Sequence, residues 1–520
     1  MKKSIFCLLA CCLAVSLGGC AAREQPISQS QANDAQLEGI KIVLRDGGIT
    51  VDGETISTDA SSAVYAANDI VYYEAGRDLT YGEGTAADAH SAEEAAAHTV
   101  VHITQPGTYV LSGKLSQGQV AVDLGEEAKE DPDAVVTLVL NGVELYCSVA
   151  PAVIFYNVYE CGSEDAETAS KDVDTAAAGA NVLIAGGTVN TVYGSYVARI
   201  YQPESVVLNA DGTEVEEAKK LHKYDAAFYS KMSMNIDTWG DGEGALEINA
   251  ENEGLDSELH LTINGGIINI TSGNDGINTN EDGVSVTTIN GGEVNIVVNG
   301  ATGEGDGIDS NGWLVINGGT VTASACGFSA DSGIDSDMGI HVNGGTVIAS
   351  GNMLDRLEEG GQNYAVFTFA ESRSGGSTYT LKNVDGQVVA EYAPANDFSI
   401  LVVSTPELAA GEYTFWQGDT QLAASSGMGG GLFGGGVMPG GPRVPEGLEG
   451  IDLSELPRFP AWEEGKEPPI PPEEMEEGAH PPKGGFHGPG GGMQQESGEV
   501  SKVFAIADGA NYFGGVTAAE

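Results

Sequence analysis

The stretch TINGGIINI at residues 262–270 returns as TINGGEVNI at 288–296, VINGGTVTA at 315–323 and HVNGGTVIA at 341–349. The asparagines, Asn264, Asn290, Asn317 and Asn343, stand 26, 27 and 26 residues apart. An earlier relative, LIAGGTVNT at 183–191, carries Ala185 at the asparagine position. A second element keeps the same rhythm, as EGLDS from Glu253, DGINT from Asp275, DGIDS from Asp306 and SGIDS from Ser332. Each unit reads as short alternating strands parted by Gly or Asn turns, too brief to bury its own apolar face. Stacking equivalent units solves this, and predicts one interior row from Ile268, Val294, Val321 and Val347 and another from Leu255, Ile277, Ile308 and Ile334. The asparagines then form a row of amides able to hydrogen-bond from unit to unit.

A period in the twenties with no helical periodicity predicts an all-β chain, a parallel β-helix of about 26 residues per coil. Leucine-rich repeats share the period but need a leucine-dense consensus that is missing, and WD-type blades are longer. The excess of 74 glycines in 520 residues fits a turn-rich β architecture.

The charge balance is extreme, with 22 Lys and Arg against 76 Asp and Glu and a net charge of −54. Nucleic acid and anionic lipid surfaces are poor partners for such a chain, whereas cations are natural ones. The opening MKKSIFCLLACCLAVSLGGC has two lysines, a short apolar core and small residues, which predicts an export signal over 1–20. Its end, LGGC, resembles the lipobox of bacterial lipoproteins, which implies cleavage before Cys20, a diacylglycerol on its thiol, and attachment to the extracellular face of the membrane. Of the remaining cysteines, Cys147 and Cys161 allow a bridge in that setting, although spacing alone does not establish one.

The predicted order is a signal over 1–20, a tether over 21–38 and a flanking region over 39–98, then repeats over 99–376 and a β cap over 377–425. Residues 426–498, dominated by Gly, Pro and Glu, are expected to be disordered, and a closing segment over 499–520 contains SKVFAIA, which would return to the cap as a strand. In the flank, AADAHSAEEAAAH ending at His98 is the best helix candidate; it would put His90, Glu94 and His98 on one face, a spacing that could ligate zinc but reads more simply as a solvated polar face, since no further ligand is in view.

TVVHITQPGTYVLSGKLSQGQVAVDL from Thr99, VVTLVLNGVELYCSVAPAVIFYNV from Val135, YDAAFYSKMSMNI from Tyr224, the repeats, and the cap from Ser377 together resemble bacterial carbohydrate-binding proteins with a right-handed parallel β-helix, related in architecture to polysaccharide lyases. The insertion over 161–180 and the long tail depart from that pattern. The resemblance implies a polysaccharide partner, a cell-wall or plant-type glycan.

In a stack of coils, Asp256, Asn278, Asp309 and Asp335 fall in one outward row, and Asp275 and Asp306 in a second flanked by Glu253 and Ser332. Carboxylates at strand spacing repel unless a cation intervenes, and an all-oxygen set favours calcium. The competing reading is that these aspartates only shape turns. Trp313 and His260 align at an outward position, where an indole offers a flat face to a sugar ring. Tyr193, Tyr196 and Tyr201 would extend a binding face or pack in the core.

A lyase on the same scaffold needs a base and charge neutralisation. From Met232 to Asp355, however, the chain has nineteen Asp and Glu and no Lys or Arg. The sequence therefore favours a non-catalytic, calcium-supported polysaccharide binder, with a lyase, a glycoside hydrolase using paired carboxylates, or a structural adhesin as alternatives.

Overall fold

The computed structural model describes residues 38–162, 164–427 and 500–519. The signal, Cys20, nearly all of the tether and almost all of the Gly/Pro-rich segment lie outside the described residues. The described chain is nearly all β, with one short α-helix over Ala92–Ala96.

Three ladders of parallel strands organise it. The first runs through Met234–Trp239, Leu261–Ile263, Val286–Ile289, Trp313–Ile316 and Gly339–Val342. The second runs through Ala245–Ala250, Ile267–Ser272, Glu293–Val298, Thr320–Ser324 and Thr346–Gly351. The third joins Ala226–Ser230, Glu253–Ser257, Ile277–Thr279 and Ile308–Ser310. Equivalent residues are register partners: Ile268 pairs with Val294, Val294 with Val321, and Val321 with Val347. All four are fully buried, and so are Leu255, Ile277 and Ile308, with Ile334 beside them. The three ladders share one hydrophobic core, each fully buried Ile or Leu contributing roughly 1.5–3 kcal/mol.

The NGG turns show why the motif repeats. The second glycines, Gly266, Gly292, Gly319 and Gly345, have φ of 95°, 83°, 77° and 80°, a region L side chains avoid. The first glycines are held by close approach: a Cβ on Gly291, Gly318 or Gly344 would come within 2.6, 2.5 and 2.6 Å of the carbonyl oxygen of Asn264, Asn290 and Asn317. The glycines of the second element are equally confined, since a Cβ on Gly254 or Gly276 would sit 2.5 or 2.6 Å from the next repeat's glycine carbonyl. The asparagine amides link as a chain, with Nδ2 of Asn290, Asn317 and Asn343 donating to the preceding Oδ1 at 2.9, 2.9 and 2.8 Å.

At the N-terminal end Ile40–Leu44 pairs in parallel with Gly107–Leu115 and folds back on Thr50–Val51. At the other end the last strand of the second ladder, Thr346–Gly351, pairs antiparallel with Phe398–Ser404. That strand also pairs with Tyr364–Arg373, which in turn takes Ala510–Ala518 as a parallel neighbour. A second core fills this cap, with the Phe367 ring 4.1 Å from Phe415 and 5.3 Å from Phe513, centroid to centroid. The expected return of the SKVFAIA segment is a strand at Phe504–Ile506, paired with Gly411–Gln417.

The helix candidate is much shorter than its sequence pattern. Ser91 and Glu94 form a capping box that starts the helix, and it ends after Ala96. Glu94 is thereby committed to Ser91, while His98 is buried with Nδ1 2.8 Å from the Glu94 carbonyl, so the three side chains do not gather as ligands. Cys147 and Cys161 are both free thiols.

Candidate functional site

The third ladder carries the acidic rows. Asp256, Asn278 and Asp309 are register partners, and the Asp335 N–H donates to the Ile308 carbonyl at 2.7 Å, continuing the row. The second row follows from the backbone: the N–H groups of Gly254, Gly276 and Gly307 donate to the carbonyls of Asp275, Asp306 and Ser332, each at 3.0 Å. The side chains step along the same line. The Asp306 N–H donates to Asp275 Oδ1 at 2.7 Å, and the Ser332 N–H to Asp306 Oδ1 at 2.5 Å.

These rows were expected to face outward, but none of their side chains is exposed: one end is buried and Asp306, Asp309 and Asp335 are half-buried. Asp256 is 0% exposed, Glu253 3%, Asn278 6% and Asp275 8%. Burial of so many acids bears on their protonation. It pushes the carboxyls of Glu253, Asp256 and Asp306 well above the usual carboxylate range, with neighbouring carboxylates adding to the effect. Asp275 rises to about 7 and Asp335 to about 8, again from burial first, then from Asp309 and Asp355 respectively. Several oxygens here are buried without a hydrogen-bond partner: Glu253 Oε2, Asp256 Oδ2, Asn278 Oδ1 and Asp335 Oδ1. Among the described residues no three His, Cys, Asp or Glu side chains already converge as a metal-ligand group.

One basic side chain reaches this region from a part of the chain the repeat pattern did not cover. Lys223 forms an ion pair with the buried Asp225. Burial would lower its pKa, but the carboxylates of Asp225 and Glu253 outweigh that and hold the ammonium above its ordinary value. Asp225 is still raised, because burial exceeds the help it receives from Lys223.

The alignment of Trp313 with His260 is correct in register, since Val286 pairs with Trp313 and its N–H donates to His260 Nδ1 at 3.1 Å. The shared exposure is not. Trp313 is half-buried, but His260 is 2% exposed and Gly162 covers it: a Cβ there would lie 2.5 Å from Nε2. Burial lowers the His260 pKa to about 4, so it is a neutral interior imidazole that no glycan can reach. What the sequence missed is that the insertion folds back over this strand.

The tyrosines divide. Tyr193 donates to Glu251 Oε1 at 2.6 Å and stacks against Tyr146, and Tyr196 donates to Asp88, so both serve local packing. Tyr201 lines a groove of about 620 Å³ together with Tyr72, Tyr81 and Arg77, the last lying 4.8 Å over the Tyr81 ring.

No curated protein matches the chain. A solved structure, that of the polysaccharide lyase-like protein from C. thermocellum as a gadolinium derivative, aligns with a TM-score of 0.35 and 19% identity, covering 60% of this chain and 90% of that one. A family model described as carbohydrate-binding domain-containing protein matches residues 97–390, more than half of the chain and nearly all of its parallel ladders, and the chain belongs to that family.

Proposed function

We propose that this is a lipid-anchored extracellular protein that binds polysaccharide without transforming it, on a right-handed parallel β-helix supported by calcium. Membership of the carbohydrate-binding family carries the binding reading. The three parallel ladders around one core, with register partners one repeat apart, support the β-helix. The lipid anchor rests on LGGC and Cys20.

Calcium is favoured by the donor set. The partnerless buried atoms at Glu253, Asp256, Asn278 and Asp335 include four oxygens, and hard oxygen donors suit this ion. Lys223 serves the Asp225 and Glu253 end of the row, so Asp275, Asp306, Asp309 and Asp335, with Asn278 and Asp256 behind them, are the residues that would hold it. Bound there, calcium would supply positive charge to the rows. The deepest acids have no path to a glycosidic oxygen, which disfavours their use as a hydrolase pair.

The purified chain, incubated with a polysaccharide panel with and without calcium, tests the proposal. Retention without new reducing ends or unsaturated products is expected. Product formation would make it an enzyme, and no retention on any polymer would overturn the binding reading.

A further inference from the structure

The insertion over residues 161–180 builds one side of a groove on the first ladder. Its base is pinned by Glu160, whose Oε1 accepts from the Gly162 N–H and the Ser233 hydroxyl, both at 2.7 Å. Farther along, the Thr175 hydroxyl donates within 2.8 Å of Asn235 Oδ1 and stands 2.7 Å from the Thr262 hydroxyl. At the far end, Lys171 shares the lining of the groove with Asn343 of the last repeat. Residues 171–176 therefore run across the strands, from repeat to repeat, as a wall parallel to the row of asparagine amides. Between wall and row lies a groove of about 630 Å³ whose lining includes Thr288 and Val315, a volume within the ordinary range for ligand sites.

The geometry points to this groove as the seat of a linear, uncharged polysaccharide, lying along the row of Asn264, Asn290, Asn317 and Asn343. The inference rests on the polysaccharide-binding reading above and adds a place and a ligand class to it. All four amides are exposed; Asn290 and Asn317 each use one N–H and one acceptor site on their neighbours, which leaves each a second N–H and a second lone pair, while within the row Asn264 only accepts and Asn343 only donates. The amides repeat at the strand spacing of about 4.8 Å, close to the advance of one sugar in an extended chain, so successive sugars meet equivalent donors and acceptors. Charge selects among glycans. Asp172, Asp174 and Asp237 line the groove, and its one lysine, Lys171, is paired with Asp172. A uronate polymer would meet net repulsion there, whereas a neutral polyhydroxyl chain would not.

Affinity electrophoresis of the full chain in gels containing glucan, mannan, xylan or polygalacturonate tests this. Retardation by at least one neutral polymer, and loss of at least about tenfold in affinity for Thr288→Trp, are expected. The melting temperature serves as the folding control. Should that variant fail to fold, Asn290→Ala with Asn317→Ala, both at exposed positions, carries the same test and the same expected loss. Unchanged affinity in a folded variant would overturn the groove while leaving polysaccharide binding standing. Retardation by polygalacturonate alone would overturn the uncharged class. No retardation by any polymer would remove the reading on which the inference rests, and the inference with it.

Discussion

Raising the pH in the presence of a chelator should destabilise this protein, and the size of the effect follows from two carboxyls. Asp335 titrates at about 8 and Asp275 at about 7 in the folded chain, both from a reference of 3.8. Between pH 6.5 and 9 the unfolded chain has already lost these protons and the folded chain is still losing them. The folded state binds more protons, so stability falls as pH rises. Integrated over that window, Asp335 accounts for roughly 2 kcal/mol and Asp275 for nearly 1 kcal/mol. His260, at about 4, is neutral in the folded chain throughout, but its unfolded imidazole, at about 6.5, still sheds protons over this window, which opposes the trend by only about 0.4 kcal/mol. A net loss of about 2–3 kcal/mol lowers the melting temperature of a chain this long by roughly 3 °C, within reach of scanning calorimetry in chelator at several pH values. Saturating calcium should cancel the slope, because the ion takes the place of the protons and binds better as they leave. A melting temperature that stays flat or climbs from pH 6.5 to 9 in chelator would refute the account of the acidic rows.

Four further outcomes are expected. Asp309→Asn combined with Asp335→Asn should abolish most of the calcium-induced rise in melting temperature, a rise of about 2.7 kcal/mol at a hundredfold excess over the dissociation constant, while costing little in chelator. Lys223→Met strands Asp225 without its partner and should cost about 3–5 kcal/mol in denaturant unfolding, and Asp225→Asn in the same background should restore part of it. Trp313→Ala should weaken retention on a bound polysaccharide with only a few degrees' loss of melting temperature; a larger loss would mean its indole serves packing. Cys20→Ser should move the protein from the detergent phase into the soluble fraction, and unchanged partitioning would exclude lipid at that residue.

The repeats were legible because each position solves one problem in every unit. Ile268, Val294, Val321 and Val347 recur since each packs on its equivalent one strand away, and the NGG glycines recur because one lacks space for a Cβ and the other holds a positive φ. What periodicity does not encode is the part of the chain that lies over a strand. His260 looked outward by alternation, and it is outward from its own strand, but the non-repeating insertion brings Gly162 onto it. Burial of Asp256 and the approach of Lys223 were hidden for the same reason, since Lys223 comes from residues that precede the regular repeats. The helix was overread because alanine content favours extension while the Ser91 capping box fixes only its start. No periodic signal announces a groove whose wall is a unique insertion.

The cap bears on how the nascent chain can mature. Each parallel rung joins segments that are near neighbours in sequence, so the ladders can lengthen in step with synthesis. The final edge is different: Phe367 finds Phe415 soon after it is made, but Phe513 and the strand Ala510–Ala518 arrive only much later in synthesis. Until then Tyr364–Arg373 lacks one neighbour, and a partner-seeking strand edge is a template for association between molecules. A premature stop near residue 500 would therefore spare nearly every repeat and still yield a sticky, self-associating product.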